Sequence, residues 1–270
     1  MRSSSNPALN RSEAFAGGSR TVGFNDRPQT DAPGWATSDD PIEQGYLGPS
    51  ATSMQTGRMT VEDVIVRTGI LLATALATGA LTWWAKADGL VLPAVIVGLV
   101  LGLVITFKQI TNPAVIISYA AIQGVFLGGI SRMFETYYDG IVIQAISGTA
   151  GTLLTMLALY KSGKIRVTPQ FQKMVIVATG GFLVLILANF VFSMFTDGPG
   201  IRGGGFGIVI GLVGIALASL NLVLDFDLVE KGARQGLPAR YGWFAAFGIM
   251  VTLVWLYIEI LRLLSILRGD

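Results

Sequence analysis

Two carboxylates, Asp225 and Asp227, close an apolar run in the stretch NLVLDFDLVEKG. They follow GIVIGLVGIALASLNLVL, a segment suited to lipid or to a protein interior. Acidic side chains at such a border admit two chemistries. In one, they are the solvated polar end of a membrane helix. In the other, a carboxylate faces a low-dielectric bundle, where its charge can switch near neutrality, as a proton-gated cation site requires. Positions two apart on a helix point about 200° apart, so Asp225 and Asp227 cannot both face one site while the helix continues. One is then free to face the bundle while the other caps the helix or meets water.

Other polar groups fall inside apolar segments, where they are costly and each is a candidate for function. Glu259 and Arg262 lie three apart in YIEILRLL, one above the other on a helix face, and can neutralise each other as a structural ion pair. Asn189, Asn221, Gln123 and Gln144 are neutral and are expected to hydrogen-bond between helices.

These side chains must be positioned by membrane helices. Hydrophobic residues make up 52% of the 270-residue chain and charged residues only 13%, where a soluble domain has roughly 25% charged residues. Mean hydropathy is +0.62. Seven runs contain no Asp, Glu, Lys or Arg: Thr68–Ala85, Gly89–Phe107, Gln109–Ser131, Gly140–Tyr160, Met174–Thr196, Gly203–Leu224 and Tyr241–Ile258. Each has about 18 to 23 residues, the length a helix needs to cross a hydrocarbon core of roughly 30 Å. A soluble helix would place charge on its outer face every third or fourth residue. The expected fold is an all-α integral membrane protein, a compact bundle of seven transmembrane helices over residues 59–270. Gly207, Gly211 and Gly214, and likewise Gly124 and Gly128, sit at helical spacing and suit close helix packing in lipid.

Residues 1–58 differ from the rest, being rich in Ser, Gly, Pro, Asp and Asn without an apolar period. Such a segment cannot bury enough surface to offset its ordering entropy, so a disordered hydrophilic tail is expected, dispensable for insertion. The chain has no cysteine and no histidine. That excludes a disulfide framework, Cys- or His-rich metal sites, His-ligated haem and a Ser–His dyad. No arrangement of the remaining groups suggests an enzyme, and no cofactor is expected. A net charge of +2 is too small to imply a nucleic-acid partner. The lipid bilayer is the partner that composition implies.

Positive charge sets the expected orientation. With the tail cytoplasmic, Arg58, Lys108, Lys161, Lys164, Arg166, Lys173, Lys231, Arg234 and Arg240 share its side, against Lys86, Arg132, Arg202, Arg262 and Arg268 opposite. The expected arrangement is a plasma-membrane protein with its N-terminus inside and its C-terminus, at Asp270, outside. YKSGKIRVTPQFQK marks a cytoplasmic connection and TDGPGIRGGG an outer turn.

Three stretches taken together resemble the Bax inhibitor-1 family, also called the transmembrane Bax inhibitor motif family, in its bacterial branch. NPAVIISYAAIQGVFLGGIS is similar to the family's third-span signature. LVLDFDLVE is similar to its sixth-span ending, with Asp225 at the family's aspartate. LYIEILRLLSIL is similar to its closing stretch, with Arg262 at the family's arginine. The resemblance covers about residues 60–268. It implies a seven-helix bundle with the last helix central, and a pH-sensitive calcium leak in which calcium is the transported ion and Asp225 a calcium ligand. It further implies two aspartates on the sixth and seventh spans that share a proton, latched by an arginine near the connection of the second and third spans. Here the seventh-span aspartate falls on Thr252, the latch on Lys108, and the third-span glutamate of the motif on Gln123. The like-charge dyad that would split two pKa values is therefore incomplete. Glu259 shares a helix face with Thr252 but lies two turns away, about 10 Å.

Two functions follow as expectations. One is a cation leak, or its regulator, built on Asp225 near Lys108, with Asp227 turned to water. The other is a non-conducting regulator that binds membrane proteins such as a quality-control protease.

Overall fold

The computed structural model describes residues 57–195 and 204–269. Among them lie seven helices: α1 (Val61–Ala85), α2 (Val91–Lys108), α3 (Pro113–Tyr137), α4 (Ile141–Lys161), α5 (Pro169–Phe195), α6 (Gly204–Arg234) and α7 (Tyr241–Gly269), with a 3-10 turn (Asp88–Leu90) before α2. All seven are long and apolar enough to cross a membrane, as the uncharged runs require. Apart from Gly57 and Arg58, the tail expected over residues 1–58 lies outside the described residues, as do residues 196–203 of the outer turn and Asp270.

Local chemistry sets the helix ends. Thr60 caps α1 with Asp63 in a reciprocal pair: the Asp63 amide donates to Thr60 Oγ1 at 3.2 Å, and the Thr60 amide to Asp63 Oδ2 at 3.4 Å. Asn112 Oδ1 accepts from the Ala114 amide at 2.9 Å, and Pro113 takes the first turn of α3, where an amide hydrogen has no helical partner. Lys86 and Gln109 end α1 and α2 with positive φ, 53° and 47°. Glu135, from the end of α3, accepts from the Gly140 and Val142 amides and so caps α4 through its side chain.

The helices pack around α7. Of its most apolar window, 67% is buried, against 17–39% for the other six. Met250, Leu256 and Leu261 are fully enclosed, and α1, α3, α4 and α6 all lie against α7. The tightest approach is between α1 and α3. A Cβ placed on Gly128 would stand 2.2 Å from the Gly79 carbonyl oxygen, and one on Gly124 2.3 Å from that of Ala75. Only glycine permits two backbones this close, and in lipid such contact must supply by dispersion what the hydrophobic effect supplies in water. Thr74, Thr78 and Thr82 of α1 return their hydroxyls to carbonyls one turn back, so none is left bare in hydrocarbon.

The segment leading into α1 closes the basic end of the bundle. The Met59 amide donates to Leu237 O at 2.7 Å and the Ala239 amide to Gly57 O at 3.0 Å. The Arg67 guanidinium donates to Ala239 O and stands 5.3 Å from the centre of the Trp243 ring. The connection from α6 to α7 is thus held from both sides.

Candidate functional site

Helix α6 runs past the apolar border without a break, so its successive side chains point in different directions. Asp225 turns to α7, Phe226 to Tyr160 of α4 with ring centres 5.9 Å apart, and Asp227 to Lys231 on its own surface. Thr252 Oγ1 donates to Asp225 Oδ2 at 2.6 Å. Gly248, one turn earlier on α7, offers no side chain, and a Cβ there would stand 3.7 Å from Asp225 Oδ1. Asp225 is half-buried and Thr252 is 8% exposed. One turn earlier on α6, Asn221 Nδ2 donates to Thr179 Oγ1 of α5 at 2.8 Å and to Leu217 O. Two separate polar contacts, one turn apart on α6, thus tie it to α7 and to α5.

Asp227 and Lys231 pair at 2.6 Å, and Glu230 takes the Tyr160 hydroxyl and the Arg234 guanidinium. These are i, i+4 contacts on a helix surface plus one link to α4, and they absorb the other acidic groups at this border.

Glu259 lies two turns along α7 from Thr252 and is 2% exposed. Arg262 Nη2 donates to its Oε2 at 3.1 Å. Glycines of α6 make the room: a Cβ on Gly214 would stand 2.9 Å from Glu259 Cδ, and one on Gly211 3.7 Å from Arg262 Nη2. The ion pair read from spacing is present, and it is sunk against α6.

The arrangement differs from expectation at three positions. Lys108 does not reach Asp225. It is exposed at the end of α2, and α2 packs chiefly on α3 rather than on α6 or α7. No Lys108–Asp225 ion pair therefore forms. Gln123 bonds within its own helix, Nε2 to the Tyr119 hydroxyl at 2.8 Å, while its side chain abuts Gly98 of α2. Gln144 faces outward from α4.

The order of the helices, a central last helix and an aspartate of α6 against α7 carry the features of one family. A family model described as Bax inhibitor 1 like matches residues 6–269, nearly the whole chain. The chain belongs to this family. Among curated proteins it has no match.

Other polar contacts of this Bax inhibitor 1 like protein carry little signal in the sequence. Ser131 of α3 and Tyr257 of α7 share a buried hydrogen bond of 2.6 Å. Asp88 and Arg132 join the turn before α2 to α3. Both pairs link residues far apart in the chain, and each residue taken singly is an ordinary helix-end or core residue. Gly248 is equally silent until its neighbour is known. Among the described residues no three acidic groups converge as a metal cage would need, and calcium usually takes six to eight oxygens. Asp225 and Thr252 can offer a cation only part of such a shell.

Proposed function

We propose that this membrane protein is a pH-sensitive cation leak of the plasma membrane, passing calcium, with Asp225 as its principal acidic group. The observation that supports the reading is the Thr252 hydroxyl on the Asp225 carboxylate at the contact of α6 with α7. Of the two, only Asp225 can change charge. As a carboxylate it attracts a cation and accepts the Thr252 proton. Once protonated it does neither as well, so the contact and the affinity for a cation respond together to pH. An incomplete ligand shell suits a leak, because an ion must bind well enough to enter and weakly enough to leave. In this reading the protein performs no covalent chemistry and needs no cofactor. The basic end faces the cytoplasm, with the N-terminus inside and the C-terminus outside, in accord with the bias of Lys and Arg.

Calcium entry into dye-loaded liposomes containing the purified protein tests the reading. Flux should vary between neutral and mildly acidic pH, and Asp225→Asn should remove that variation. Liposomes that stay impermeable at every pH would overturn it.

One observation favours a second reading, a non-conducting regulator that binds other membrane proteins. Thr252, which cannot ionise, is the α7 side chain bonded to Asp225. The other carboxylate against α6, Glu259, is two turns away and paired with Arg262, so Asp225 has no carboxylate partner with which to share a proton. Impermeable liposomes together with specific co-purification of a membrane protease would support it.

A further inference from the structure

The basic end carries its charges unevenly. On α6, Lys231 and Arg234 are each paired, with Asp227 and Glu230. The connection from α4 to α5 is different. The segment from Lys161, the last residue of α4, to Lys173, in the second turn of α5, contains Lys161, Lys164, Arg166 and Lys173 and no Asp or Glu. All four are exposed, and among the described residues none joins an ion pair. Ile165 and Val167 alternate with Lys164 and Arg166 and are half-buried, so the loop holds an apolar side inward and a cationic side outward. It joins two spans directly, which puts these cations at the level of lipid headgroups.

Helices α4 and α5 both pack on α6 but scarcely on each other. Near the loop they leave Leu154 and Leu157 of α4 and Met174 and Val177 of α5 exposed. A cationic rim above two separated apolar helices matches a molecule with an anionic head and hydrocarbon tails.

We infer that the α4–α5 connection is a binding site for an anionic phospholipid, whose phosphate meets Lys161, Lys164, Arg166 and Lys173 and whose chains lie along α4 and α5. Basic residues beside a membrane span attract anionic headgroups, each contributing about 1 kcal/mol near the surface. The site would couple α5, the loosely held helix, to α4 through a lipid. It does not depend on whether the protein conducts cations.

The full chain in detergent can be titrated with dioleoyl phosphatidylglycerol, dioleoyl phosphatidylcholine or glycerol phosphate, following retained adducts by native mass spectrometry and the thermal unfolding midpoint. Phosphatidylglycerol should give retained adducts and raise the midpoint, and the other two should not. Each cation changed to Gln should weaken binding by roughly fivefold, so K161Q/K164Q/R166Q/K173Q should abolish the preference. K161R/K164R/R166K/K173R, which keeps every charge, should preserve it, and added salt should weaken it in the unaltered protein. Equal retention of the two lipids, or unchanged preference in the Gln variant, would overturn the inference. Glycerol phosphate binding as tightly as the lipid would instead identify a small-anion site and overturn the lipid assignment. If the Gln variant does not fold, a preference in the unaltered protein that salt leaves untouched would overturn it equally.

Discussion

At the scale of single residues, two carboxylates two positions apart have separate roles. Asp225 accepts from Thr252 across a helix contact, whereas Asp227 holds Lys231 on the surface of α6. Asp227→Asn removes one i, i+4 surface pair, worth roughly 0.3–0.5 kcal/mol; if the protein is the proposed calcium leak, this change should leave the pH profile of flux unchanged, whereas Asp225→Asn should flatten it. Equal effects of the two would refute the assignment. Thr252→Asp would set two carboxylates within one contact, where like charges cannot both ionise freely, and should sharpen the pH response. Glu259 and Arg262 obey different physics, because they are buried. Glu259→Gln leaves a guanidinium that cannot lose its proton facing a neutral amide at membrane depth. It should destabilise the folded protein by on the order of 3 kcal/mol. The double change Glu259→Leu with Arg262→Leu should cost less, since it removes both charges together. Thermal unfolding in detergent compares the two.

At the scale of elements, the α1–α3 contact is the most demanding. Gly79, Gly124 and Gly128 meet through backbone atoms, which cannot move aside as a flexible side chain can. Gly128→Ala should separate the helices at a cost of roughly 1–3 kcal/mol, visible as a lower unfolding midpoint. Gly151→Ala on α4, where a Cβ meets nothing within 4 Å, should be tolerated. Gly214 on α6 is intermediate. The atoms an added Cβ meets there belong to the Phe182 and Glu259 side chains, so Gly214→Ala would displace the buried ion pair rather than a backbone.

At the scale of the whole molecule, charge is distributed along the axis of the bundle. The end that carries the α4–α5 and α6–α7 connections is basic, and the segment entering α1 is tied to it by Met59 and Arg67. Under the proposed orientation, which rests on the positive-inside bias, this end is cytoplasmic. Because the chain has no cysteine, single cysteines can report orientation directly. In intact cells an impermeant maleimide should label Asp139→Cys, in the exposed α3–α4 connection at the far end, and not Lys164→Cys. The reverse pattern would invert the topology.

The amino-acid sequence alone determined the spans, because apolar length and the placement of charge are properties of contiguous residues. It also determined the opposed directions of Asp225 and Asp227, which follow from 3.6 residues per turn, and the closeness of Glu259 to Arg262. The pairing of Thr252 with Asp225 joins positions on two different helices, and tertiary structure brought them together. Tertiary structure also decided that Lys108 ends on a peripheral helix away from Asp225, that Gln123 bonds to Tyr119 of its own helix, that Gln144 faces outward, and that Glu259 fits into a notch at Gly214. The reason is physical. In a soluble bundle the polar face of each helix declares which side meets water. In lipid the outward and inward faces are equally apolar, so the sequence carries no period that gives the rotation of a helix or its neighbours. Those are settled only when close backbone contacts, such as Gly128 on Gly79, select which helices can approach.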